Sequence, residues 1–260
     1  MKRSKLFITS SKESEVSSCI SEELALKSGL IHSYGSGTFG YTSFGKRVLD
    51  NIKSVIRDEM NGVAQEVQMN LLQTSKLWEE SGRWKNFEGE EFFHFKNRDD
   101  KDFCLAATHE EASVDLVKKY IRSYKDLDLT IYQIGRKFRD DHARKGLLRS
   151  KEFTMKDAYS FHQNKDGLDQ KFDRMIESYS KIFDRLGLEY SIVGADSGSM
   201  GGNHSREFIA KSDNGSDTYM SCQECDFGSK NLEDERCSHC GSKLEKTDGI
   251  EVGHCFKLGS

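Results

Sequence analysis

The sequence predicts an α+β fold, an antiparallel sheet flanked by helices and carrying a small cysteine-rich appendage. Three observations support this. Two runs rich in β-branched and aromatic residues, Leu129 to Phe138 and Phe153 to Phe161, are joined by a polar, glycine-containing loop, as in an antiparallel hairpin. Segments with apolar residues at helical spacing, Gly45 to Met60 and Asp166 to Leu186, lie on either side of it. Two Cys-x2-Cys pairs then follow, Cys222/Cys225 and Cys237/Cys240.

Taken in order, Glu15 to Gly29 places Val16, Ile20, Leu24 and Leu26 at roughly helical spacing and stops at Gly29. The glycine-rich stretch Tyr34 to Gly40 reads as a linker. From Gly45 to Met60, residues Val48, Leu49, Ile52, Val55, Ile56 and Met60 form one apolar stripe on a long helix. Ala64 to Met69 reads as a strand, giving either a packed helix–strand pair or a dimer-forming edge. A short helix (Thr74 to Arg83), a strand (Glu91 to Lys96), a polar turn (Asn97 to Lys101) and an apolar run (Phe103 to Ala106) follow. Thr108-His109-Glu110-Glu111 opens a helix bearing Ala112, Leu116, Val117, Tyr120 and Ile121. Thr108 and Glu111 read as a capping box, which leaves His109 and Glu110 without a structural reason. After the hairpin, the helix from Asp166 buries Leu168, Phe172, Met175, Ile176, Tyr179 and Phe183 and ends at Gly187. Glu189 to Ala195 is a strand, and Asp196 to Gly202 is a turn leading to His204, Ser205, Arg206 and Glu207.

A chain of 260 residues can bury a sizeable core, as one large domain or as one domain with an appendage. With 35% hydrophobic and 32% charged residues and a net charge of -4, it has no general pull toward nucleic acid, so any RNA contact must be local and no DNA partner is expected. The first residues include only three consecutive apolar ones, too few for a signal sequence, and no later stretch approaches a membrane span. A cytoplasmic location without membrane contact is expected. The chain has 0 prolines, where average usage would give about 13, so chance absence is on the order of one in a million.

Side chains alternate across a strand, so Arg139 and Asp141 share a face on the first hairpin strand, and Arg149, Phe153, Met155 and Asp157 share one on the second. Guanidinium forks suit phosphate oxygens and an aromatic face can stack on a base, which makes this floor a candidate nucleotide site. A solvated basic turn is the alternative. The two Cys-x2-Cys pairs are separated by 11 residues, each with a glycine behind it, Gly228 and Gly241. Four such thiolates point to a closed, structural tetrahedral Zn²⁺ site rather than disulfides, with four free thiols as the alternative. His239 is read as a bystander, and Cys19, Cys104 and Cys255 as isolated thiols.

Several segments together resemble the front part of the bacterial-type prolyl-tRNA synthetases, a family of class II aminoacyl-tRNA synthetases. They are Leu77 to Trp84, Thr108 to Glu111, Lys137 to Asp140, Arg149 to Phe153, Met155 to Phe161 and Gly249 to His254. The resemblance implies a class II synthetase-like antiparallel sheet with a zinc ribbon attached. The hairpin would be motif 2. Arg139 would hold the ATP α-phosphate and the substrate carboxylate, Phe153 would stack on adenine, and Arg144 and Arg149 would contact phosphates, with Asp141 near adenine. Arg139 and Arg149 would be the catalytic pair. Thr108 and Glu110 match the amino-acid-binding loop, Met155, Asp157 and Tyr159 would line the pocket, and Glu251 and His254 match a later strand that closes it. His254 would be amino-acid-binding and Glu251 a candidate Mg²⁺ ligand. ATP, Mg²⁺ and Zn²⁺ are the implied cofactors. Proline, ATP and a tRNA acceptor stem are the implied partners, with a homodimer or a complementary synthetase fragment completing the assembly.

The resemblance also sets domain expectations: 1–216 as catalytic core with motifs 1 and 2, 217–246 as a zinc ribbon in place of the editing insertion, and 247–260 as a returning core strand ahead of motif 3. Asp141 stands where the family has Glu, Met69 is followed by Asn70 rather than proline, and no editing activity is expected. With motif 3 outside the sequence, a second polypeptide is expected to supply it together with anticodon binding. A proline-free chain could still be translated when prolyl-tRNA is exhausted. The alternatives are a synthetase-like protein that senses amino acid, adenylate or tRNA without catalysis, and an activating paralogue with a non-tRNA acceptor.

Overall fold

A computed structural model describes residues 5, 7, 19–87, 92–142, 145–195 and 204–258. They fall into two compact units, Met1–Arg57 with Ala64–Phe161, and Asp58–Val63 with His162–Ser260. The boundary after Phe161 means that the expected segment 1–216 spans both units.

The first unit runs through α1 (Ile20–Lys27), β1 (Ile31–Gly35), β2 (Thr38–Tyr41), α2 (Ser43–Met60), β3 (Gln65–Glu66), β4 (Leu72–Thr74), α3 (Ser75–Glu80), α4 (Arg83–Phe87), β5 (His94–Lys96), β6 (Asp102–Leu105), α5 (Glu110–Tyr120), β7 (Leu129–Phe138) and β8 (Glu152–Phe161). The expected antiparallel hairpin forms, with Leu129 opposite Phe161 and Phe138 opposite Glu152. β3 joins it in parallel at Gln65↔Ile131. The expected strand to Met69 is cut short because the next donors leave the ladder pattern. The Val67 amide donates to the Tyr132 carbonyl (2.8 Å), and the Met69 amide donates to the Gln133 side chain (3.0 Å). β4, β6 and β5 make a second sheet, backed by a core of Trp78, Phe92, Cys104 and Ala107. The buried indole N–H of Trp78 donates to Gln73 Oε1 at 2.8 Å.

Two expectations in this unit are corrected. The glycine-rich stretch is a β1–β2 hairpin, not a linker. Gly35 (φ 148°) and Gly37 (φ 73°) adopt left-handed backbone that reverses the chain, which residues with a Cβ rarely do. The stripe on α2 is only partly covered: Met60 is buried, but Val48 and Ile52 are exposed.

In the second unit, α6 (Lys165–Leu186) starts at Asn164, whose side chain accepts from the Gly167 amide (2.9 Å), and stops at left-handed Gly187. Arg185 at its far end pairs with Asp58 (2.9 Å) and Glu59 (2.8 Å). β9 (Tyr190–Ala195), β10 (His204–Lys211), β11 (Asp217–Cys222), β12 (Phe227–Ser229) and β13 (Leu244–Lys257) close into a barrel in the order β10-β13-β11-β12-β9. Residues from His204 read in sequence as the exit of a turn, yet they form an 8-residue strand whose Ser205, Glu207, Phe208, Ile209 and Ala210 are buried. The expected turn Asp196 to Gly202 lies outside the described residues. Tyr179 and Phe183 of α6 gather around Phe208 with Tyr190. β13 pairs with β11 at its start and β10 at its end, so the expected ribbon and returning strand share one continuous ladder.

Candidate active site

Alternation along β7 and β8 brings polar side chains to one face, and their burial makes them an interlocked set. Asp157 is 9% exposed and accepts from Gln133 Nε2 (3.0 Å), Lys137 Nζ (2.7 Å) and the Tyr159 hydroxyl (2.8 Å). Lys137 is fully buried. Burial lowers its pKa and the Asp157 charge opposes that shift. The Tyr159 oxygen also accepts from the His109 amide at 3.1 Å, and burial holds the phenol well above its ordinary pKa. Burial pulls His109 down to about 4, with the Lys137 charge adding to the shift, so the ring is neutral near pH 7. Its Nε2 lies 3.0 Å from the Asn70 carbonyl. A carbonyl only accepts, so Nε2 carries the proton.

The turn before α5 supplies the opposite charge. The expected capping box does not form. α5 begins at Glu110 with His109 as its cap residue and no side-chain cap bond. The Thr108 hydroxyl instead donates to Glu110 Oε2. Glu111 is taken by Arg83 (2.9 Å) and the Ser81 hydroxyl (3.1 Å), because a buried carboxylate is stable only with a cation or several donors. Arg83 Nη1 also stands 3.7 Å from Glu110. The Glu110 side chain is only 20% exposed, and burial raises its pKa despite the Thr108 bond.

Arg139 connects this turn to the hairpin. Its Nε donates to the Ala107 carbonyl (3.3 Å), one residue before Thr108, and its guanidinium carbon lies 5.5 Å from the centre of the Phe153 ring. Among the described residues it makes no ion pair, so a half-buried cation on an aromatic face borders a buried carboxylate turn. Further along the loop, Arg149 Nε donates to Asp141 at 2.5 Å and Lys151 pairs with Asp140 at 2.5 Å. Arg144 lies outside the described residues. Gly146 has φ 60°, and a Cβ there would meet Glu22 Cβ of α1 at 2.6 Å. Gly146→Ala is therefore expected to lose about 1–2 kcal/mol from the left-handed backbone alone, read as a lower urea midpoint.

The first unit thus brings together Thr108, Glu110, Arg139, Phe153, Asp157 and Tyr159, with Met155 on the same β8 face opposite Gly135. Glu251 and His254 belong to β13 of the second unit. There His254 Nδ1 lies 3.2 Å from Glu251 and 3.8 Å from Glu207, which stands opposite it on β10. Sequence reasoning missed Lys137, Gln133, Arg83 and Glu207. Lys137 could have been found, since strand alternation puts a lysine two residues before Arg139 on the same face.

The four cysteines also converge. Cys222 and Cys240 Sγ are 3.5 Å apart, Cys225 and Cys237 3.6 Å, and Cys225 and Cys240 3.8 Å. These values approximate the ~3.8 Å edge of a tetrahedron with Zn–S bonds of about 2.3 Å. The Glu224 amide donates to Cys222 (3.4 Å) and the His239 amide to Cys237 (3.3 Å). Hydrogen bonds from Ser242 pull the Cys240 thiol down to about 6. The donor set fits a thiophilic tetrahedral ion.

The chain resembles known proteins along its length. It is 40% identical over 288 residues to the proline–tRNA ligase of Sulfurimonas denitrificans, covering 100% of this chain and 66% of that protein. It is 41% identical over 262 residues to that of Geobacter sp. strain M21, covering 100% and 45%. To that of Campylobacter lari it is 46% identical over 230 residues, covering 87% and 40%. The chain therefore spans between 40% and 66% of the length of these relatives. The fold matches prolyl-tRNA synthetase from Cryptosporidium parvum complexed with L-proline and AMP, with TM-score 0.62 and 20% identity over 72% of this chain and 38% of that one. The family model for the tRNA synthetase class II core domain (G, H, P, S and T) matches residues 93–258. More than half of the sequence carries that signature, and the chain belongs to the class II tRNA synthetase core-domain family.

Proposed function

We propose that this chain is the catalytic portion of a proline–tRNA ligase. The observation that carries the reading is the Arg139–Ala107 hydrogen bond, which fixes a guanidinium beside the Thr108–Glu110 turn. A free amino acid is a zwitterion, and this arrangement offers a cation for its carboxylate and a carboxylate for its amine. Proline's carboxylate oxygen attacks the α-phosphorus of ATP, the bond to pyrophosphate breaks, and prolyl-adenylate forms. A tRNA 3′ hydroxyl then takes the prolyl group and releases AMP. Arg139 neutralises charge on the carboxylate and α-phosphate, and Phe153 presents a ring to adenine. Arg149 reaches phosphate by leaving Asp141, and Arg144 is assigned to the same phosphates. Met155, Asp157 and Tyr159 shape the proline pocket, with Lys137 and Gln133 fixing Asp157. Mg²⁺ would screen the charge of the polyphosphate. Glu251 offers an oxygen donor of the kind it takes. Zn²⁺ is assigned to Cys222, Cys225, Cys237 and Cys240.

The same reading includes the tRNA acceptor stem as partner, a cytoplasmic location, and a homodimer or complementary fragment. Exposed Phe44, Val48 and Ile52 on α2 support such an association. Among the described residues no helix is long and apolar enough to cross a membrane.

The test is proline-dependent ATP–pyrophosphate exchange, measured with the chain alone and with the C-terminal part of a proline–tRNA ligase relative added in trans. Binding of a non-hydrolysable prolyl-adenylate analogue is measured alongside. Exchange in either mixture supports the reading, analogue binding without exchange favours the sensing role, and neither overturns both.

Glu110→Gln should separate function from stability. Its folded pKa is raised, so ionisation opposes folding above that pKa, and the penalty vanishes as pH falls below the ordinary Glu value of about 4.3. The variant is expected to melt slightly higher than the parent at pH 7, with the gain fading toward pH ~4, while analogue affinity falls by about tenfold or more. A lower melting temperature at pH 7 would show that Arg83 and Thr108 outweigh the burial cost.

A further inference from the structure

β12 closes the barrel with little of its own to hold it. It is 3 residues long, pairs with β11 only at Met220↔Ser229 and Ser221↔Gly228, and pairs with β9 in parallel only at Phe227↔Ile192 and Gly228↔Val193. So short a ladder contributes few hydrogen bonds. Its fit is nonetheless close. A Cβ on Gly228 would meet Val193 Cγ2 at 2.6 Å and Ser191 Cβ at 3.0 Å, so the β12 backbone lies directly on the barrel core. The Ile192 amide donates to the Asp226 carbonyl at 2.6 Å, one residue after Cys225.

The four-cysteine cluster brackets this strand. Cys222 ends β11, Cys225 stands two residues before β12, and Cys237 and Cys240 lie in the turn before β13, where the Cys237 amide donates to the Ser242 carbonyl (2.8 Å). An ion shared by both pairs ties the entry of β12 to the entry of β13. Directly after β12, Lys230 Nζ lies 2.5 Å from Glu207 Oε2. Glu207 is buried on β10, and its other oxygen is 3.8 Å from His254 Nδ1. A continuous set of contacts therefore runs from the cysteines through β12 and Lys230 to Glu207 and His254, all within the second unit.

We propose that the ion held by Cys222, Cys225, Cys237 and Cys240 is the clasp that keeps the barrel closed, and that Lys230 is a positioning residue which the clasp delivers to Glu207 beside His254. This rests on the zinc assignment above. Lys230 touches no proposed substrate; it fixes the carboxylate that faces the His254 ring. Without the ion, β12 keeps its short ladders and the packing of Phe227 and Gly228 but loses its covalent tether to the start of β13, and Lys230 loses its fixed distance to Glu207.

The test uses the purified chain under reducing conditions, with metal content measured by mass spectrometry and hydrogen exchange measured before and after removal of zinc by a chelator. The expected result is about one zinc per chain. On stripping, exchange should become about tenfold faster or more in peptides covering Phe227–Ser229 and Tyr190–Val193, while β7 and β8 stay protected, and added zinc should restore the barrel peptides. No bound metal overturns the zinc assignment itself. Bound metal whose removal leaves β12 and β9 exchange unchanged overturns the clasp while the assignment stands. Lys230→Ala, with all four cysteines intact, should keep its zinc and shift the His254 ring resonances in histidine-labelled NMR spectra, and Lys230→Arg should return them toward the parent. Unchanged His254 resonances in Lys230→Ala would overturn the positioning role.

Discussion

Lys137→Ala is expected to lower the stability of the first unit by about 3–5 kcal/mol, because Asp157 would be left as a buried charge with only neutral donors. Among the described residues no other charged side chain in the hairpin is as enclosed: Lys137 is fully buried and its ammonium is 2.7 Å from Asp157 Oδ1. Lys137→Met, which fills the space without the charge, should lose nearly as much, so lost packing is not the cause. Pairing Lys137→Met with Asp157→Asn removes both charges while the amide still bonds Gln133 and Tyr159, and most of the loss should return. Urea unfolding of the two single variants and the double variant gives the coupling energy. A single-variant loss below ~1 kcal/mol would mean that Gln133 and Tyr159 suffice to hold the carboxylate.

Arg139→Ala is expected to reduce proline-dependent exchange by at least about 10³-fold with little change in stability, since a preorganised cation acting on developing charge contributes on that scale. The side chain is half-buried, held by one backbone acceptor and one ring face, so its removal takes a donor from the buried Ala107 carbonyl but strands no charge. Arg139→Lys should recover little, because an ammonium cannot hold two oxygens in a fork while lying flat on Phe153. Where exchange requires a complementary fragment, the same contrast is read from calorimetry with the adenylate analogue. Exchange in Arg139→Ala equal to that of the parent would remove the motif 2 assignment.

The hairpin was legible because β-branched alternation and a polar loop are local signals, and its register follows once the loop is placed. Other features were not local. Thr108 and Glu111 match a capping box perfectly in spacing, yet Arg83 and Ser81, about thirty positions earlier, claim Glu111, and tertiary ion pairing outweighs a local cap. β10 was hidden behind a glycine-rich turn, and its buried run from Phe208 to Ala210 makes sense only as the shared strand of a barrel. The cysteine spacing pointed to a four-thiol cluster, whereas the position of β12 between the two pairs required the fold.

The sequence by itself determined the kinds of chemistry available: cations and a ring on one hairpin, a carboxylate turn, and four thiols in two tight pairs. These depend on residue identity and on spacings of two to four positions, which backbone geometry converts into shared faces. Only the tertiary structure decided which charges neutralise each other and which stay available. Lys137 near the end of β7 and Arg139 just beyond it differ in this way: one ends on the buried Asp157, the other on a carbonyl and an aromatic face with its charge unpaired among the described residues. Burial and partner geometry set that difference, and neither can be read from the two side chains alone.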